Sequence, residues 1–485
     1  MKVRHNVWKS ILIVCLLFSV VAIFVCFIAD SECYEWLFVL PFTYCICSMI
    51  LLTQRMSLTG TIINLCAFLR YVLIPIMQSL FPVYGFSSFS CTDTETINKA
   101  IALMCYELIV ITIFITIYLQ LHRNVESLSK QDHEDVILNR FDTSHNHYGA
   151  ILIFIVFSVL LVCVSPVTLQ QISFIAIRSN TTSRIGSVSA SSSTLDMIAR
   201  QFFVIGFLSL FVICVLKLKQ SKLKETTALN ISLLCAAACT SIIISEQRSS
   251  QVYCAFAAII LLIQVYPQKK KKIIRTIGIV FIIVILLLSA YKTFYAFKYG
   301  SYSAAIANSN FSPYSITQTL EIYLLGPQTV ASAIKFNMAY PSFSSIGQLF
   351  YDICRSTIGI SFFVKDGGRA LTSAQYNLFV TRGASTSGYL LPITAQGYIV
   401  FGAVFAPILI CLCIWLAFKI EKKMFNSKSA YVTFFSAYVY VRLATCIISS
   451  NLNTVLNAIS SILISAGLIY LIQFSISKMT HKNDA

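Results

Sequence analysis

Twelve close-spaced apolar stretches constrain this chain more than any other feature. They fall at roughly residues 7–28, 36–53, 60–80, 98–121, 148–165, 197–216, 227–245, 250–266, 273–291, 397–418, 430–448 and 455–474. A helix crossing a bilayer needs about 20 mostly apolar residues, and only a helix or a closed barrel satisfies its backbone in hydrocarbon. Charged residues are 11% of the chain and hydrophobic ones 57%, against about 25% charged in an average soluble domain. The chain therefore reads as an all-α polytopic membrane protein with about twelve transmembrane helices. Lys2, Arg4 and Lys9 precede the first stretch, as in a signal sequence. Its apolar run is too long for one and no small-residue cleavage site follows, so an uncleaved helix is expected.

Orientation follows from loop charge, because Lys and Arg near helix ends stay in the cytoplasm. With the N-terminus inside and strict alternation, 22 of the 36 Lys and Arg fall on inside segments, among them Lys217 to Lys224, Lys269 to Lys272 with Arg275, and Lys419 to Lys428. The outside loop Asp30–Glu35 is acidic. Both termini are thus expected inside. The +17 net charge mostly flanks apolar segments, which argues against a nucleic-acid partner. Of the 17 cysteines, 14 lie inside apolar segments, where they act as small buried hydrophobes. No Cys/His spacing resembles a zinc site.

The same scheme divides one integral membrane domain into three parts: helices one to nine over 1–291, a large external loop over 292–396, and helices ten to twelve over 397–485. The loop is 105 residues long and carries Lys292, Lys298, Lys335, Arg355, Lys365, Arg369 and Arg382 against Glu321, Asp352 and Asp366. A long ordered loop is usually functional. Within it, Ser315–Phe336 and Ser345–Phe363 are expected to form helices with an apolar side. A second outside loop, Ser165–Asp196, carries Arg178 and Arg184, and a short outside turn holds Glu246, Gln247 and Arg248.

Arg248 stands at the outer start of the eighth helix. A helix N-terminus offers unpaired N–H groups and a positive dipole end, and arginine adds a planar fork matching phosphate oxygens. The alternative is an interfacial arginine reaching headgroups. Arg178, Arg184, Arg355, Arg369 and Arg382 add positive charge on the same side. Arg70, Glu107 and Arg442 fall inside spans, where charges pair or face a cavity. Glu107 is read with Arg70 or with Arg442, or as part of a line of charge beneath a lipid pyrophosphate. All six histidines lie on cytoplasmic segments. An external proton acceptor must then come from Glu246, Glu321, Asp352 or Asp366.

Taken together, Glu246–Ser250, Tyr323-Leu324-Leu325-Gly326-Pro327 and Thr386-Ser387-Gly388-Tyr389-Leu390-Leu391-Pro392 running to Gly402 resemble Wzy-type polymerases of O-antigen and capsular repeat units. The resemblance covers the whole topology. It implies a GT-C-like helical bundle in the bacterial cytoplasmic membrane. It also implies a metal-independent glycosyltransferase of capsule or lipopolysaccharide biosynthesis, with undecaprenyl-pyrophosphate-linked oligosaccharides as donor and acceptor. The bilayer and a chain-length regulator protein are its implied partners, and no cofactor is implied. The arginines would hold the pyrophosphate leaving group and a carboxylate would take the acceptor proton. The related ligases carry an external histidine in the late loop, which this chain lacks. Rival readings are a lipid-linked oligosaccharide flippase or transporter, a ligase-like transferase, and a non-catalytic scaffold. A transporter predicts short loops and an internal repeat.

Overall fold

A computed structural model describes residues 2–29, 33–54, 57–86, 88–128, 148–164, 194–242, 248–279, 283, 312–364, 369–383, 389–448 and 450–483. The described residues are mostly helical, at 82%. Among the described residues, four helices are long and apolar enough to cross a membrane: Lys9–Ile28, Leu58–Leu80, Thr94–His122 and Leu452–Ile469. Two bent pairs raise the number to six if each counts as one span. The chain divides into two compact units. One comprises Met1–Val136, Phe311–Lys419 and Arg442–Asn457. The other comprises Ile137–Asn310, Ile420–Val441 and Ala458–Ala485.

The first unit opens with α1 (Lys2–Ile28) and α2 (Val39–Leu52). At 14 residues, α2 is about 21 Å long, short of a bilayer's roughly 30 Å of hydrocarbon. α3 (Leu58–Phe68) runs through a π-helical turn, Leu69–Leu73, into α4 (Ile74–Leu80). Ser57 starts α3 by accepting the Gly60 N–H. In the wide turn the Ile74 N–H reaches back to Leu69 O. Pro75 explains the turn: it has no N–H, and its ring would crowd the Tyr71 carbonyl in a regular helix. A two-residue hairpin, β1 (Gly85–Phe86) against β2 (Phe89–Ser90), leads to α5 (Thr94–Leu128).

The late segment then returns to this unit as α10 (Pro313–Tyr323), α11 (Pro327–Ala339), α12 (Ile346–Ser356) and α13 (Thr372–Thr381). Each of α10 and α12 starts at a serine cap, Ser312 and Ser345, and proline opens α10 and α11. These are the positions where a hydroxyl acceptor and a fixed φ favour helix initiation. Helices thus form in both stretches expected from the sequence, broken at Leu324–Gly326 in the first. The segment is not a peripheral loop. Val330, Ala331, Ala333, Ile334 and Phe336 of α11 are all buried, and α11 packs against α5.

The stretch expected as a single span over 397–418 is instead broken. α14 (Ile393–Phe405) and α15 (Ile408–Asn426) meet at 109°. Gly402 takes a left-handed φ of 72°, and Pro407 cannot donate to the Ala403 carbonyl. A Cβ on Gly397 would press into the Ala406 carbonyl, so only glycine lets the chain fold back this closely.

In the second unit, α6 (Tyr148–Val164), α7 (Thr194–Gln220), α8 (Glu225–Ile242) and α9 (Arg248–Val265) pack as sequential neighbours. Val252–Val265 and Pro267–Ile279 bend by 119°, as expected where one apolar stretch ends and the next begins. Lys219 pairs with Glu225 at 2.9 Å and lies 5.0 Å from the Tyr266 ring centre. α16 (Ala430–Ala444) and α17 (Leu452–Asn483) complete the chain.

Candidate functional site

The first unit buries two polar networks that involve the late segment. The first centres on Arg70, which the π turn presents to the interior at 1% exposure. Its Nη1 donates to Glu107 Oε1 and to the Ile447 carbonyl, both at 2.9 Å, and its Nε donates to the Leu325 carbonyl at 2.9 Å. One guanidinium therefore ties α5, the α10–α11 turn and the chain after α16. Leu325 has a left-handed φ of 56°, a conformation that costs a non-glycine residue about 1 kcal/mol or more. The grip on its carbonyl opposes that cost.

Glu321 lies at the other side of this turn. Its Oε1 accepts the N–H groups of Gln328 at 2.5 Å and Thr329 at 3.3 Å, so it caps α11 from the preceding helix. The positive end of α11 favours a carboxylate there. Complete burial wins, and the carboxyl is pushed up to about 7. Its Oε2 has no hydrogen-bond partner among the described residues and fills the space above Gly326, where a Cβ would collide with it. Gln328 extends the network: its Nε2 donates to Tyr34 Oη at 2.6 Å and to the Cys91 carbonyl at 3.0 Å. Tyr34 in turn donates to the Val83 carbonyl at 2.7 Å. Gln318 Nε2 donates to the Gly85 carbonyl at 3.0 Å. The loops before α2 and after α4 and the late segment are thereby knitted together at one end of this unit. These are the segments that loop charge assigns to one side of the membrane.

The second network centres on Asp352 of α12. Its Oδ1 accepts the Thr372 N–H and Gln348 Nε2, each at 3.1 Å, and its Oδ2 accepts Gln396 Nε2 at 3.2 Å. It caps α13 and fixes the start of α14. Burial raises its carboxyl above the ordinary range, with the Thr372 hydroxyl and N–H pulling the other way. Arg369 Nε donates to Gln348 Oε1 at 2.5 Å, and its guanidinium lies 5.3 Å from the Tyr351 ring centre. A hydrogen-bonded line thus runs from exposed Arg369 through Gln348 to buried Asp352 and Gln396.

Of the residues proposed from sequence, the structure joins Arg70 with Glu107, and Asp352 with Arg369. Arg355 Nη1 donates to the Ser361 carbonyl at 3.2 Å. Arg382 is exposed and ends α13 in a left-handed conformation. Arg442 is partly buried in the last turn of α16. Arg248 is the first residue of α9; its side chain, and Arg178, Arg184, Glu246 and Asp366, lie outside the described residues. Glu321 and Asp352 were expected as external proton acceptors. Both are at most 1% exposed, and each turns one oxygen onto backbone N–H groups at a helix start, so in this conformation neither is open to an acceptor hydroxyl. Sequence reasoning did not single out Gln328, Gln348, Gln396 or Tyr34. A lone glutamine among apolar residues, as in Ile393-Thr394-Ala395-Gln396-Gly397, is the signal that marks such a hub. Among the described residues no group of His, Cys, Asp and Glu could hold a metal ion.

These features define a helical membrane protein. Compared with protein-family models, characterised proteins and solved structures, the chain matches none.

Proposed function

We propose that this protein is an oligosaccharide repeat-unit polymerase, a glycosyltransferase of about twelve spans in the bacterial cytoplasmic membrane with both termini inside. It transfers a growing chain from undecaprenyl pyrophosphate to the non-reducing end of a new lipid-linked unit. The observation that carries this reading is the late segment. It folds into four helices that pack into the unit's core and present Arg369 at the surface, which a simple connector does not require. The start of α9 at Arg248 supports the same reading, because a helix N-terminus opened by arginine suits a pyrophosphate. Positive groups there strengthen their hold as charge builds on the leaving pyrophosphate. Which carboxylate takes the acceptor proton is assigned to no one residue. Glu246 and Asp366 remain candidates from sequence, while use of Glu321 or Asp352 requires the late segment to open.

One observation favours a second reading. The 109° break between α14 and α15 is the kind of discontinuous helix that transporters use, so a lipid-linked oligosaccharide flippase is the alternative. A deletion strain separates them by the glycan found outside the membrane. Single repeat units on the carrier there identify a polymerase; their absence identifies a flippase; unchanged polymer removes both.

A further inference from the structure

At the same end of the first unit, an open cleft of about 610 Å³ lies between the start of α5, the end of α11 and α13. It is lined by Asp93, Glu95, Thr96, Lys99, Lys335 and Phe379, with Met338 and Ala339 beside them. Its size falls within the range of small-ligand sites, about 300–1,000 Å³. The two residue types of its lining specify what fits.

The charges are mutually balanced. Lys99 Nζ lies 2.5 Å from Glu95, and Lys335 Nζ lies 4.0 Å from Asp93. Two carboxylates against two ammonium groups leave no net charge, so a phosphate or other strong anion gains nothing over water here. Asp93 is further held in place, accepting the Thr96 hydroxyl at 2.5 Å and the Glu95 N–H at 3.2 Å. Those hydrogen bonds, the Thr96 hydroxyl first, keep its carboxyl below the ordinary range, so it remains an acceptor. Such a lining offers acceptors and donors side by side, which matches a ligand carrying many hydroxyls.

The apolar side is rigid. The Phe379 ring lies 5.9 Å from Phe89, 5.8 Å from Phe336 and 6.0 Å from Tyr340. Three neighbouring rings leave it little freedom to lose on binding, which removes part of the usual cost. An aromatic face is negative at its centre and attracts the positive edges of C–H groups. Met338 extends this surface and is 62% exposed.

We infer that this cleft binds an uncharged sugar, with the carboxylates and ammonium groups on its hydroxyls and Phe379 under its C–H face. Its role as the acceptor subsite rests on the polymerase reading; sugar binding itself does not. The cleft thereby handles the neutral part of a substrate whose pyrophosphate is held elsewhere.

The test uses the full-length protein in its own cells. A photo-reactive diazirine side chain is placed at position 338, and in a control at position 346, where Ile346 is 69% exposed on α12 and outside the cleft. After irradiation the purified protein is oxidised with periodate and probed with a hydrazide, which tags sugar adducts. The expected result is a sugar adduct at 338 and none at 346. Glu95→Gln with Lys335→Gln should lower the 338 adduct about tenfold at unchanged protein level, the effect of losing about 1.4 kcal/mol of polar contact. No sugar adduct at 338, equal adducts at both positions, or an adduct indifferent to the double change each overturns the inference. The deletion strain distinguishes the two readings. Single repeat units outside the membrane without a 338 adduct reject the cleft and keep the polymerase. A 338 adduct with unchanged polymer rejects the polymerase and keeps the cleft.

Discussion

Replacing Arg70 by methionine, which nearly matches its stem but carries no charge, should be the most damaging single change in the first unit. It strands the Glu107 carboxylate in the interior and frees the carbonyls of Leu325 and Ile447, all now held by one guanidinium. Removing one partner of a buried ion pair costs about 3–5 kcal/mol. Each orphaned carbonyl adds about 1 kcal/mol or more, and the released Leu325 turn adds to this. The total reaches about 5–7 kcal/mol, comparable with the whole stability of many proteins, about 5–15 kcal/mol. Glu107→Gln should be milder, at about 1–3 kcal/mol. Its amide oxygen still accepts from Nη1, and Arg70 keeps two carbonyl acceptors. Arg70→Met with Glu107→Met removes the stranded charge and should recover about 2 kcal/mol or more relative to Arg70→Met alone. The assay is thermal unfolding of purified protein in detergent, with protein level in membranes measured in parallel. If Arg70→Met shifts stability by less than about 1 kcal/mol, or the double variant is as unstable as the two single losses added together, the pair does not hold this unit together.

Glu321 makes stability depend on pH with a definite sign. Its folded value of about 7 lies above the ordinary 4.5 of a glutamate carboxyl, so the folded state binds the proton more tightly. Its contribution is fully present below about 4.5 and is lost as pH rises through about 7. It amounts to about 3 kcal/mol at most. Melts of wild type and Glu321→Gln at pH 5 and pH 8 should differ in slope, and parallel slopes would sink the assignment. Gly397→Ala should destabilise the protein by about 1–3 kcal/mol, because the new Cβ meets backbone at Ala406 and backbone cannot rotate away; an unchanged melting temperature refutes the close approach. Arg248→Ala should leave a normally inserted protein that makes only single-unit glycan, and Arg248→Lys should retain a small fraction of activity because an ammonium cannot bind bidentately. Normal glycan ladders from Arg248→Ala at wild-type protein level would leave Arg248 as a headgroup anchor.

Composition and periodicity determined the helical, membrane-embedded class of this protein. Runs such as Lys9–Ile28 and Thr94–His122 are apolar enough that hydrocarbon is their natural surrounding, whatever they pack against. That the late segment forms helices was also legible from its apolar periodicity, whereas the starts at Pro313 and Pro327, and the break between them, were not legible in that periodicity. The buried charges at Arg70 and Glu107 announced a partner, because a lone charge in a span is costly. Which partner Glu107 takes was decided by the fold. The π turn before Pro75 places Arg70, and its guanidinium closes on Glu107 and on carbonyls at 325 and 447, the last two separated from it by 255 and 377 residues. Glu321 and Asp352 read equally well as proton acceptors, since a carboxylate in a loop carries no mark of its burial. Tertiary packing turned both inward onto helix starts. The stretch over 397–418 reads as one continuous span by hydropathy, because hydropathy sums over residues and is blind to backbone direction. Gly402 and Pro407 bend it, and the missing Cβ of Gly397 lets the two halves close against each other.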